Sequence, residues 1–108
     1  MRTKFIVALI FAGLPMLASA RGNVEAGAKK AETCKACHGE GGAKPILPEY
    51  PVLAGQHADY LAAALNQYKS GKRKNALMVG LSAALSAQDI NDLAAYFAAQ
   101  KSDLKNKY

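Results

Sequence analysis

The sequence predicts an all-α fold of three main helices, and three observations carry that prediction. Amphipathic segments recur at helical spacing, no stretch shows the period-two alternation of a strand, and glycines and prolines gather in one long loop. The first helix is placed at about 23–33, where Asn23 can cap it, Glu25 lies in its first turn, and Val24, Gly27, Ala28 and Ala31 share a narrow face. A glycine inside a helix costs about 1 kcal/mol relative to alanine, so Gly27 is expected to mark a close helix crossing. A loop from Gly39 to about Gly55 follows, broken by Gly41, Gly42, Pro45, Pro48 and Pro51, and it must wrap around something. The second helix is read at about 56–70, with Leu61, Ala64, Leu65 and Tyr68 inward and Gly71 as a left-handed C-cap. Residues 72–85 are expected to be irregular or weakly helical. The last helix begins at Ser86, which forms a capping-box pair with Asp89, and its apolar stripe is Ile90, Leu93, Ala94, Phe97 and Ala98. The tail from Ser102 to Tyr108 is polar.

Ahead of these helices stand Arg2 and Lys4, an apolar run from Phe5 to Leu17, and the small-residue ending Ala18-Ser19-Ala20, the pattern of a secretory signal peptide cleaved after Ala20. The run is short of the roughly 20 apolar residues that a spanning helix needs, so stable membrane insertion is not expected. The expected organisation is a leader at 1–20 and one domain at 21–108, delivered to the periplasm. Two of the 14 basic residues leave with the leader, so 12 face the same 8 acidic ones and the mature net charge is +4. Lys69, Lys72, Arg73 and Lys74 form the densest group. An exported chain without an aromatic-interleaved basic motif is not a nucleic-acid binder. These cations read as a solvated surface or as a means of steering toward an acidic protein. A domain this small is at the lower limit of what a hydrophobic core stabilises alone, so a cofactor, metal or disulfide is expected to complete it.

Cys34-Lys35-Ala36-Cys37-His38 has the C-x-x-C-H pattern of covalent c-type haem attachment. Two thiols at this spacing can each form a thioether with a haem vinyl, and the adjacent imidazole then lies under the iron. Other readings are weaker. A thioredoxin-type dithiol needs a preceding strand, a structural zinc needs four ligands, and a Cys34–Cys37 disulfide would close a loop too small to constrain the unfolded chain. For the sixth iron position Met78 offers a soft thioether, and Met/His ligation raises the haem potential. His57 is the rival ligand, and an open site binding a small gas or peroxide is a third arrangement, although no acid–base set is visible to support it.

These residues resemble the class I c-type cytochromes, in particular small bacterial monohaem forms and single halves of the dihaem forms. The resemblance covers Cys34 to Gly39, Pro48 to Gln56 leading into Tyr60-Leu61, Gly71 to Met78, and Leu85 to Ile90 followed by Leu93 to Phe97. It implies a cytochrome c fold wrapped around one haem c, Met78 as distal ligand, and a first and last helix that cross with Gly27 close to Leu93, Tyr96 or Phe97. It also implies a proline carbonyl, placed at Pro48, that accepts the His38 N–H. Tyr50, Arg73 and Asn75 are implied to contact the haem propionates or the surroundings of Met78. A single C-x-x-C-H sets this chain apart from a complete dihaem protein. The function so implied is a periplasmic single-electron carrier and not an enzyme, with redox proteins as partners. The alternative is a haem subunit of an oxidoreductase complex, such as a flavoprotein sulfide dehydrogenase, with a flavoprotein or oxidase as partner.

Overall fold

The computed structural model describes residues 22–104, and the leader read at 1–20 and the end of the polar tail lie outside them. Five α-helices make up the described fold: α1 (Val24–Lys30), α2 (Lys35–His38), α3 (Ala58–Ser70), α4 (Ala76–Ala83) and α5 (Ala87–Ala98). No strand occurs among the described residues, and none of their helices is long and apolar enough to cross a membrane.

Asn23 caps α1 by accepting the Ala26 N–H at 2.8 Å, while Glu25 and the pair Lys29 and Lys30 complement the helix dipole at its two ends. The helix predicted over 23–33 keeps its extent, but its last turn tightens into a 3₁₀ turn at Ala31–Thr33 before α2 begins. At the other end of the chain Ser86 and Asp89 form both bonds of the expected capping box, and Ile90, Leu93, Ala94 and Phe97 are buried along α5. Gly71 adopts φ 81° where a left-handed C-cap of α3 was anticipated.

One element departs from the expectation. Residues 76–83, read as irregular or weakly helical, form α4, and Asn75 caps it by accepting the Met78 N–H at 3.1 Å. The segment carries no charge, so no polar face betrays its period.

Helices α1 and α5 cross at Gly27. A Cβ there would lie 2.0 Å from the Asp92 carbonyl oxygen and 2.7 Å from Tyr96 Cβ, so only glycine lets the backbones meet. The implied crossing is therefore present, seated on Asp92 and Tyr96.

The same crossing holds a buried carboxylate that the apolar stripe does not announce. Asp92 accepts the Asn23 backbone N–H and the Gln88 amide at 2.8 Å each on Oδ1 and pairs with Lys30 at 2.5 Å on Oδ2, while Lys30 also reaches Asp89 at 2.8 Å. The Lys30 ammonium, and then the Ser86 backbone N–H, hold the Asp89 carboxyl down to about 2. Lys30 and the Asn23 N–H lower Asp92 as well. Both groups are more acidic folded than unfolded, near 3.9, so their stabilisation is complete above about pH 4 and is lost as pH falls toward 2. The melting temperature is expected to fall across that window, and less steeply in Asp89→Asn; an equal slope in the variant would show that the pair contributes nothing there.

Candidate cofactor site

Helical geometry explains why the five-residue motif is enough to build one side of a site. The N–H groups of Cys37 and His38 both bond back to the Cys34 carbonyl, at 3.2 and 3.0 Å, so residues three and four places after Cys34 lie over it on one face. Both thiols are free and half-buried, and His38 is 5% exposed. Burial pushes the Cys34 thiol above its usual range.

The His38 ring is held from behind. Its Nδ1 lies 2.8 Å from the Pro51 carbonyl oxygen, which can only accept, so Nδ1 carries a proton, and in the neutral ring the lone pair is on Nε2. This corrects the assignment to Pro48. Pro48 is exposed in the turn closed by the Tyr50 N–H on the Leu47 carbonyl, and the chain reaches the imidazole only after that turn. Tyr50 packs its ring against His38 with centroids 6.2 Å apart.

The loop that carries Pro51 is tied down at several points. Ile46 N–H bonds to the Cys37 carbonyl, Leu53 and Ala54 N–H share the Gly42 carbonyl, and Gly55 N–H bonds to Phe97 in α5. Gly42 has φ 72°, and a Cβ there would sit 2.8 Å from both Leu53 and Phe97 side-chain atoms. The loop wraps as the sequence suggested.

These elements enclose a cavity of about 300 Å³. Cys34, Cys37 and His38 form one part of its lining, α3 adds Leu61, Leu65 and Tyr68, and α5 adds Leu93 and Phe97. From α4 come Met78 and Ser82. The two side chains proposed as axial ligands thus reach one cavity from helices 40 residues apart in sequence. Arg73, Asn75 and Tyr50 line it too, whereas Pro48 and His57 do not. His57 is exposed at the N-cap of α3, its backbone N–H bonded to the Gln56 side chain.

Arg73 stands 5.2 Å above the Tyr68 ring, and a hydrogen bond with the Tyr60 hydroxyl strengthens its hold on its proton. Tyr60, Leu77 and Leu81 also line the cavity and are 51%, 51% and 46% exposed, so the cavity opens to solvent beside them.

Two features escaped the sequence reading. The Pro51 carbonyl had no signal separating it from the other loop prolines. Ser82 carried no signal in a stretch read as irregular or weakly helical, yet it is 1% exposed and its Oγ has no hydrogen-bond partner.

The donor set fits a haem. An imidazole with a free Nε2 and a thioether suit iron, two thiols stand at thioether spacing, and the walls are mostly apolar. Among the described residues no three His, Cys, Asp or Glu side chains gather to hold a bare metal ion.

Likeness to known proteins points to the same cofactor. The cytochrome c family model matches residues 24–101. Cytochrome c4 of Pseudomonas aeruginosa is 48% identical over 99 residues, covering 91% of this chain and 49% of that protein. Cytochrome c-554(548) of Halomonas halodenitrificans is 43% identical over 83 residues, covering 74% of this chain and 99% of that protein. Among solved structures, reduced recombinant cytochrome c4 from Pseudomonas stutzeri superposes with a TM-score of 0.71 at 39% identity, over 77% of this chain and 48% of that one. Thiosulfate dehydrogenase (TsdBA) from Marichromatium purpuratum does so with 0.69 at 35%, over 74% of this chain and 20% of that one. The chain spans about half the length of the cytochrome c4 relatives it matches. With the family model matching most of its length and the two thiols and imidazole converging on one apolar cavity, the chain belongs to the cytochrome c family, and its cofactor is covalent haem c.

Proposed function

We propose that this chain is an exported single-electron carrier in which Cys34 and Cys37 hold haem c and His38 and Met78 are its axial ligands. The observation that carries the reading is the convergence of His38 and Met78 on one cavity while His57 stays outside it. Bound haem iron supplies one-electron chemistry, alternating between Fe(III) and Fe(II).

The chain's own residues set the conditions for that exchange. The Pro51 carbonyl fixes the His38 tautomer and the orientation of its ring. The Asn75 cap fixes the start of α4 and with it the backbone of Met78. Arg73, held by Tyr60 and Tyr68, offers a cation to the haem propionates. With His38 and Met78 both holding the group, it would have no position for a substrate, and the cavity mouth beside Tyr60, Leu77 and Leu81 would be where a redox partner approaches. Exposed Lys69, Lys72 and Lys74 lie close in sequence to Arg73, and they suit encounter with an acidic redox protein. Export to the periplasm rests on the leader at 1–20, with the domain taken as 21–108.

Visible spectra of the Met78→Leu variant test the ligand set. Haem is expected to remain attached while the weak red band of ferric iron bound to methionine sulfur disappears. The midpoint potential should fall by on the order of 0.1–0.3 V, within the roughly 0.8 V span that axial ligands command. A red band that survives in Met78→Leu, or is lost in His57→Ala, would overturn the assignment.

A second reading is a haem-bearing part of a larger oxidoreductase, supported by the likeness to the thiosulfate dehydrogenase structure. Co-purification with an unrelated large subunit would favour it over a free carrier.

A further inference from the structure

Ser82 is 1% exposed, lines the cavity, and carries the one buried side-chain nitrogen or oxygen among the described residues that lacks a hydrogen-bond partner. Serine inside a helix commonly returns its hydroxyl to the carbonyl four residues earlier. Here that carbonyl belongs to Met78, and the Ser82 hydroxyl makes no such bond. A buried hydroxyl left unpaired is costly, so its partner is to be sought in what fills the cavity.

None of the polar residues lining the cavity, Tyr60, Tyr68 and Asn75 among them, bonds to that hydroxyl, and much of the wall has no acceptor to give. Leu61, Leu85, Leu93 and Phe97 are apolar, and the cationic Arg73, where propionates would be drawn, is engaged with Tyr60 and Tyr68. Ser82 follows Met78 by four residues on α4, so the two side chains occupy one helix face a turn apart. A thioether sulfur is a weak acceptor.

We propose that in the haem-loaded protein the Ser82 hydroxyl donates a hydrogen bond to the Met78 sulfur, making Ser82 a positioning residue that tunes the strength of this ligand. Such a bond draws electron density from the sulfur and favours Fe(II), a potential-raising effect of hydrogen bonding around the ligands. The inference rests on Met78 being the distal ligand.

The test compares haem-loaded wild type, Ser82→Ala and Ser82→Thr by potentiometric titration, by the position of the ferric red band, and by the proton resonance of the Met78 methyl group in the reduced protein. Ser82→Ala is expected to lower the potential, shift the band and move the methyl resonance, with Ser82→Thr restoring the wild-type values. A wild type without the red band would remove both the ligand assignment and this inference. A wild type with the band, beside a Ser82→Ala variant with unchanged band and methyl resonance, would overturn the Ser82 role alone. That includes the case where only the pH dependence of the potential changes, which would assign the hydroxyl to a propionate.

Discussion

Cys34→Ala/Cys37→Ala, produced without attached haem, is expected to be largely unfolded, with weak helical circular dichroism and no cooperative melting. The cavity of about 300 Å³ runs through the middle of the packing. Kept as a dry void, that volume would cost roughly 7 kcal/mol at about 24 cal/mol per Å³, and flooded from its open mouth it would instead set its apolar walls against water, a penalty of the same kind. Small domains have total stabilities near the lower end of about 5–15 kcal/mol, so the deficit is as large as the whole margin. What remains is a modest cluster: Ala31, Leu61, Leu93, Ala94 and Phe97 are its buried members, and two of the five are alanines. Far-ultraviolet circular dichroism across a thermal ramp decides the matter. Native-like helicity with a sharp transition would mean that the helices collapse onto the empty space and that haem is a guest in a self-sufficient fold.

Gly27→Val is expected to damage the loaded protein severely. A Cβ alone would stand 2.0 Å from the Asp92 carbonyl oxygen, and the obstacle is backbone in a capped helix, which cannot swing aside. The cost is expected to exceed about 3 kcal/mol, at the upper end of overpacking effects. Gly27→Ala should go the same way to a lesser degree. Gly80 provides the contrast: it lies inside α4, and a Cβ there would meet nothing within 4 Å, so Gly80→Ala should gain roughly 0.5–1 kcal/mol of helix stability. Thermal midpoints of the three holoproteins check the pattern. A Gly27→Val variant that melts with the wild type would mean that α1 and α5 can separate at little cost.

What the sequence made legible was local. Cys34, Cys37 and His38 lie within one helical turn, so their spacing alone states their geometry. The caps at Asn23, Ser86 and Gly71 were readable for the same reason, since each is decided by neighbours three or four residues away. Helix α4 was not readable, because residues 76–83 are uncharged and mostly apolar all round, and periodicity needs contrast between faces. Its exposed Leu77 and Leu81 sit at the cavity mouth, where an apolar side chain has a use that amphipathic patterning does not anticipate. The Pro51 carbonyl was missed by three residues for a different reason. Which carbonyl meets an imidazole depends on how a loop folds back across 13 residues, and a run of prolines fixes dihedrals without fixing that path. Asp92 escaped notice because the groups that satisfy it include Asn23 and Lys30, whose proximity only the assembled fold creates.

That last pairing governs the order in which the molecule can be put together. Asn23 and Lys30 meet Asp92 across 69 and 62 residues, and every cavity-lining residue from Thr33 to Leu85 lies within the loop they close. Closing so long a loop has an entropic cost that must be met before the crossing can reward it, although each doubling of length adds only about 0.6 kcal/mol. Helices α1 and α5 thus act as a clasp around the segment that lines the cavity. Folding speed is therefore expected to depend less on the helices, each of which forms locally, than on the search that brings α1 and α5 together.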